Sequence, residues 1–340
     1  MKMRKRIMLL ALFLVFMLTA CGKGSGTIRM GTGEAEGMYY EYSQNLSELL
    51  KEDFTIDLKT TAGSAANLRL LQKGFLDAAI VQSDTLEQAE QGTGIFAETD
   101  VWTDRSYSAV AGLYTETLQL VVRKDSDITC VEDLVGKTVS LGEEESGVRW
   151  NAETLLKLAG LEERDIVQKH MASPEAAQAL KSGTIDAFFF MAGAPTPVIR
   201  QLAEEYEIRI ISLKDEEIRA FLVWSKQGFR ECTIPAGTYT GQTEEIRTVG
   251  VRAVLVVAND MSGSEVKKLT EELFEHADLL NRNLITDTAL TPETAVEGVP
   301  IPFHKGAAEY LGENGVEVPV EKSGKGGFVF GGQDEEGGAR

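Results

Sequence analysis

The segment Thr27-Ile28-Arg29-Met30-Gly31-Thr32-Gly33-Glu34-Ala35-Glu36-Gly37-Met38-Tyr39-Tyr40 changes periodicity at its middle. Thr27 to Thr32 has the pattern of a short strand. Gly31, Gly33 and Gly37 open a loop, since glycine tolerates backbone angles closed to other residues. Tyr39, Tyr42, Leu46, Leu49 and Leu50 then recur at helical spacing, which predicts an amphipathic helix. A strand, a glycine loop and a helix in that order make the first half of a βαβ unit.

The same grammar continues along the chain. Phe54 to Thr60 alternates like a strand, and Ala62-Gly63-Ser64 opens a helix with Leu68 and Leu71 turned inward. Ala78-Ala79-Ile80-Val81 reads as a buried strand ending at Gln82-Ser83-Asp84. The pattern restarts with a strand over Leu118 to Arg123, a helical turn at Val131 to Leu134 and a strand over Thr138 to Leu141. A second glycine-bearing loop, Gly142 to Gly147, leads into a helix through Trp150, Leu155 and Leu158. Further elements are a helix over Pro174 to Leu180 and strands over Ala187 to Met191, Ile208 to Leu213 and Val249 to Ala258. Helices over Glu265 to Asn281 and Gly306 to Leu311 complete the set. The expectation is an α/β protein with mixed, mostly parallel sheets flanked by helices. With 340 residues, two domains are the default.

The N-terminus is of another kind. Met1-Lys2-Met3-Arg4-Lys5-Arg6 precedes an apolar run from Ile7 to Leu18, followed by Leu18-Thr19-Ala20-Cys21. Twelve apolar residues fall short of the roughly 20 that span a bilayer core, so residues 1–20 read as a secretory signal. Leu-Thr-Ala-Cys resembles a bacterial lipobox, which makes Cys21 the expected lipidated N-terminus and 21–26 a linker. The expected location is extracytoplasmic, either lipid-anchored on the outer face of the bacterial cell membrane or periplasmic. Net charge is −19, falling to about −23 once the four cations of the signal leave, and such a chain is repelled by nucleic acid. Cys130 and Cys232 read as two free thiols, with a disulfide as the alternative. His170, His276 and His304 lack the spacing of a zinc site, and no nucleophile elbow or triad stands out. Neither a metal nor a cofactor is expected, and the chain reads as a monomer and not as an enzyme. Residues from about 324 on are glycine- and charge-rich and are expected to be disordered.

Ordered motifs carry a resemblance. They include Gly31-Thr32-Gly33 with Gly37-Met38-Tyr39-Tyr40, Gly63-Ser64-Ala65-Ala66-Asn67-Leu68 and Ile80-Val81-Gln82-Ser83-Asp84. Ser146-Gly147-Val148-Arg149, Ile185-Asp186-Ala187-Phe188-Phe189-Phe190, Pro195-Thr196-Pro197 and Ile234-Pro235-Ala236-Gly237-Thr238-Tyr239 follow in order, with His304-Lys305-Gly306-Ala307 last. The set resembles the TAXI family of solute receptors for TRAP transporters. That resemblance implies a two-lobed, type II periplasmic-binding-protein fold hinged at two chain crossings. It implies one lobe from 27–118 plus 234–312, a second from 119–233, and a C-terminal extension over 313–340. The implied function is capture of a small carboxylate or amino acid, glutamate- or glutamine-like, for a cation-coupled TRAP permease. Rival readings are the receptor of an ABC importer, a ligand sensor for a membrane kinase and, least favoured, an extracytoplasmic enzyme.

Candidate ligand residues lie where strand ends meet helix starts. Gly33, Gly37 and Tyr39 belong to the first glycine loop and its helix, whose positive end suits a carboxylate. Ser64 and Asn67 begin the next helix, with Ser64 alternatively an N-cap. Gln82 and Ser83 follow a buried strand, while Asp84 reads as a helix cap. Tyr114 is a candidate cleft wall. Ser146, Gly147 and Arg149 form the second junction, where Arg149 offers a fork to a carboxylate or else pairs with Glu153. Gly193 offers close approach to backbone. The loop acids Glu34, Glu36 and Glu143 to Glu145 depart from the family's small, neutral pattern. They favour a ligand bearing an ammonium group, unless they simply face solvent.

Overall fold

The computed structural model describes residues 26–97, 105–225, 228–282, 284 and 289–321. The expected signal segment, Cys21 and the glycine-rich tail lie outside the described residues. Strand β1 (Ile28–Gly31) lies between two parallel neighbours, β2 (Ile56–Lys59) and β3 (Ala78–Gln82). Every residue of β3 is buried, as a continuous apolar run demands when both faces of a sheet are covered. Helix α1 (Met38–Leu49) covers this sheet through Met38, Tyr42 and Leu46, spaced one turn apart. Helices α2 (Ser64–Gln72) and α3 (Ser83–Gln91) follow β2 and β3.

Two long strands form the spine. β4 (Tyr107–Arg123) is buried over all but its last residue, and β10 (Ile246–Ala258) runs antiparallel to its first part. Strand order is β2-β1-β3-β10-β4 on one side. From β4 it continues through β7 (Ala187–Ala192), β5 (Thr138–Ser140) and β6 (Val167–Lys169) on the other. β8 (Ile208–Ile211) also pairs with β4, and β9 (Arg230–Ile234) pairs with β10. Pairing is thus parallel at both flanks and antiparallel along the spine. The result is a two-lobed mixed α/β fold whose lobes share β4 and β10.

The crossings fall inside the long strands. Thr117 pairs with Gly250 on the first-lobe side and with Ala192 on the second. Gly250 in turn pairs with both Thr117 and Arg230. Ile246 to Gly250 ladder with β9 just after the expected return at residue 234.

Second-lobe helices are α4 (Gly147–Leu158), α5 (Ser173–Ser182), α6 (Pro197–Glu205) and α7 (Asp215–Ser225). The last two were not anticipated from periodicity. Pro174 in the first turn and Gly183 at φ 75° bound α5, the usual asymmetry of a helix start and stop. The helix expected over Glu265 to Asn281 divides at His276 into α8 (Gly263–Glu275) and α9 (Ala277–Leu280). Helix α10 (Lys305–Glu313) packs on α8. One apolar cluster runs from α1 through β4 into the second lobe, and another lies beneath α2, α3 and α10. Cys130 and Cys232 are not joined in a disulfide, Cys232 being buried and Cys130 half-buried.

Candidate functional site

Four helices point their N-termini into one cleft. Gly37 precedes α1, Gly63 precedes α2, Ser146 precedes α4, and Ser173 begins α5. All four residues line the same space, two from each lobe. The space between them includes about 610 Å³ free of atoms, part of it open to solvent. Glycine N-caps at 37 and 63 carry no side chain to satisfy the first-turn N–H groups, which favours an external acceptor there. Helix α4 is capped by its own Ser146, whose hydroxyl accepts from the Arg149 N–H.

The lobes touch around this space. Gly63 sits at φ 125°, and a Cβ there would lie 3.3 Å from Ser146 Cα. A Cβ at Gly147 would lie 2.8 Å from Gln82 Cδ and 2.9 Å from Thr85 Oγ1. Two glycines facing across the cleft thus let backbones approach where any side chain would intervene. Arg69 pairs with Glu145, and the Ala66 N–H donates to the Glu145 carbonyl at 3.4 Å.

Beneath the floor runs a polar chain. Tyr39 donates to Glu116 Oε1 at 2.6 Å, and Gln82 Nε2 donates to Glu116 Oε2 at 2.9 Å. Asn151 of the second lobe reaches Gln82 Oε1 at 3.5 Å. Burial pushes the Glu116 carboxyl up to about 8, opposed by those two hydrogen bonds and helped by nearby Asp84. Burial likewise raises Asp84 to about 7, and it drives the Tyr39 hydroxyl well above its ordinary value, with the Glu116 charge adding to the shift.

The cleft itself is acidic. Glu34, from the first glycine loop, accepts from the Ser173 N–H at 2.7 Å and from the Ser173 hydroxyl. Burial pushes its carboxyl up to about 7, the Ser173 bonds pull it down, and Glu143 and Glu36 add to the rise. Glu143 is raised by burial and by Glu175. Among the described residues, no lysine, arginine or histidine lines the space. Its remaining walls are largely apolar, with Met38, Met171, Phe189 and Phe190.

Of the residues expected from sequence, Gly33, Gly37, Tyr39, Ser64, Gln82, Ser146 and Gly147 line the cleft. Ser64 is not an N-cap: its hydroxyl accepts from the Gln82 N–H at 3.1 Å and so ties α2 to the end of β3. Five others lie outside the lining. Asn67 accepts from Thr61 and donates to the Ile80 carbonyl, so both ends of its amide are engaged. The Ser83 hydroxyl accepts from the Arg252 N–H. Tyr114 packs on Tyr42 at 5.2 Å between ring centroids. Gly193 lies under the Tyr114 ring and accepts from Thr196. Arg149 pairs with Glu153 at 2.7 Å, the alternative weighed for it. Asp84 lies in the first turn of α3, where Gln82 holds the cap position, so a capping role does not fit it. Trp150 packs toward Trp224 at 6.2 Å and is not a cleft residue. Sequence reasoning missed Glu116 and Ser173. A lone charge inside the otherwise uncharged stretch Leu113 to Leu120 was the available signal for the first, and the Ser-Pro helix start for the second.

The fold is two-lobed and periplasmic-binding-protein-like, with the cleft between the lobes. The chain belongs to the NMT1-like family, whose model matches residues 30–315. Among solved structures it is similar to the alkanesulfonate-binding protein SsuA from Xanthomonas axonopodis pv. citri bound to MOPS. Identity there is 17%, over 77% of this chain and 76% of that one, with a TM-score of 0.48. It is also similar to an ancestral arginine-binding protein bound to arginine, at 17% identity over 77% of this chain and 99% of that one, with a TM-score of 0.47. A putative L-cystine ABC transporter protein from Listeria monocytogenes matches at 15% identity over 78% and 98%, with a TM-score of 0.46.

Proposed function

We propose that this chain is an extracytoplasmic solute-binding receptor that closes on a small carboxylate or amino acid and delivers it to a membrane permease. One observation carries the reading: helix N-termini from both lobes meet in a single cleft. Convergent N–H groups and dipoles stabilise an anionic group held there. The acidic residues on the same walls, with no cation among the described lining residues, favour an ammonium on the ligand's other end. A glutamate- or glutamine-like solute combines both features. Binding at micromolar affinity requires about −8 kcal/mol, within reach of a few charge-assisted hydrogen bonds in a closed cleft.

Delivery to a TRAP-type permease, and tethering through a lipid on Cys21, rest on the motif resemblance and on the lipobox-like Leu18-Thr19-Ala20-Cys21. A mass-spectrometric survey of small molecules retained by the purified protein tests the ligand class, followed by calorimetry with glutamate, glutamine and 2-oxoglutarate. Retention of an amino acid or carboxylate supports the reading, and a cleft that takes none of these classes overturns it. Replacing Cys21 by Ala should release the protein from the membrane fraction. A neighbouring gene for a multispan permease supports the TRAP assignment, whereas a neighbouring ATPase gene replaces it with an ABC importer.

A further inference from the structure

Glu34 and Ser173 stand on opposite lobes. Glu34 comes from the glycine loop before α1, and Ser173 begins α5. The Glu34 carboxyl takes both the Ser173 N–H, at 2.7 Å, and the Ser173 hydroxyl. Helix α5 has no cap of its own: Ala172 holds the N-cap position and contributes no side-chain acceptor. Its first N–H, that of Ser173, therefore receives its acceptor from the other lobe. The helix start lines the cleft, so this is a position a ligand carboxylate would otherwise reach.

We propose that Glu34 sets the charge of the ligand by standing as an internal carboxylate on the N-terminus of α5, so that, of the solutes named above, the cleft admits a glutamine-like one with a single carboxylate and a cationic or neutral remainder, and not glutamate or another dicarboxylate. This rests on the receptor reading above. The geometry supports it twice over. Of the four helix starts at the cleft, the Ser173 N–H of α5 is taken by Glu34 and α4 is capped by its own Ser146, while α1 and α2 begin behind glycines with no side-chain cap, α2 with its Ala66 N–H given to the Glu145 carbonyl. Those two are adjacent first-lobe elements and serve one anionic group. A second carboxylate would meet Glu34 and Glu143 with no cation among the described lining residues to offset them. An ammonium at that end is attracted by both acids.

The test compares L-glutamine with glutarate, which carries two carboxylates and no ammonium. Calorimetry is run on the wild-type protein, Glu34→Gln and Glu34→Ala, with folding checked by circular dichroism. Wild type should prefer glutamine to glutarate by about tenfold or more, the scale of one charge-assisted hydrogen-bond pair. Glu34→Ala should shrink or reverse that ratio by freeing α5 for an external anion. Glu34→Gln, which keeps an acceptor oxygen but loses the charge, should fall between. A wild-type preference for glutarate, or a ratio unchanged in both folded variants, overturns the proposal. If neither probe binds any form, the receptor reading for this ligand class fails and small-angle scattering of the ligand-free protein decides the role of Glu34. A larger radius of gyration for Glu34→Ala than for wild type supports Glu34 as the interlobe occupant of α5, and an identical radius overturns it.

Discussion

Tyr39 at the start of α1 donates its hydroxyl to Glu116 in the middle of β4 at 2.6 Å. Glu116 lies beside the Thr117 crossing, and Gln82 at the end of β3 holds its other oxygen. A buried acid on a spine strand is thereby fastened to two elements that line the cleft. Its position links the stability of the first lobe to the shape of the site.

Tyr39→Phe removes one of the two donors to Glu116 and leaves a buried oxygen unmatched. The expected cost is about 1–3 kcal/mol, read as a lower midpoint in urea with an unchanged slope. Ligand affinity should fall with it, because the ring edge lines the cleft. A variant as stable as wild type would mean that the bond contributes nothing net.

Stability should fall as pH rises from about 4.5 to about 8. Glu116, at about 8, and Asp84 and Glu34, each at about 7, all sit above their ordinary values of 4.5, 3.8 and 4.5. Through these three groups the folded state binds more protons than the unfolded state across this window, and His304, whose imidazole burial pushes below its ordinary value, offsets part of that in the same window. The contribution of the three acids is complete below the unfolded values and is lost as each group ionises in the folded protein. Asp133, held down at about 2 by hydrogen bonds from Thr129, acts in the opposite sense below the window. Thermal melts at about pH 5 and about pH 8.5 should show the higher midpoint at the lower pH, and Glu116→Gln should flatten the difference. A midpoint that climbs with pH would contradict the assignment.

Gly147→Ala places a methyl group against Gln82 and Thr85 of the opposite lobe. Within α4, alanine is the better helix former by about 1 kcal/mol, so the second lobe itself should not suffer. The cost falls on closure. Scattering should report a more open particle, and affinity for any ligand should drop by about tenfold. Wild-type dimensions and affinity together would show that the lobes do not meet at this glycine during binding.

Arg149→Ala should leave ligand affinity unchanged and cost no more than about 0.5 kcal/mol of stability, the scale of an exposed i,i+4 pair. Its guanidinium is engaged by Glu153 and lies outside the cleft lining. A marked loss of affinity in calorimetry would return Arg149 to the site.

Elements with strong periodicity were readable one by one. Tyr42 and Leu46 marked α1, and the apolar run through Val81 marked β3, because local spacing reports which face is buried. Helix α7 escaped notice because it opens on Asp215-Glu216-Glu217 and exposes Val223 and Trp224, blurring its apolar face. Site residues at strand-to-helix junctions were legible for the same local reason, since glycine loops and helix starts are neighbours in the chain. Roles that depend on distant partners were not. Asn67 looked like a ligand contact until Thr61 and Ile80 took both ends of its amide. Arg149 is the contrary case: its pairing with Glu153 one turn on was one of its two readings from the sequence, and that pairing is the one formed.

By itself the sequence determined the alternation of strands and helices, the glycine-loop junctions and the acidity of the two loops, all properties of residues close together in the chain. Only the tertiary structure decided that four helix starts share one cleft, that Glu34 meets Ser173 across 139 positions, and that Glu116 lies buried beneath Tyr39. Those pairings are set by how β4 and β10 carry one lobe against the other. Sheet register and lobe closure are long-range outcomes of packing, which no short stretch of residues encodes.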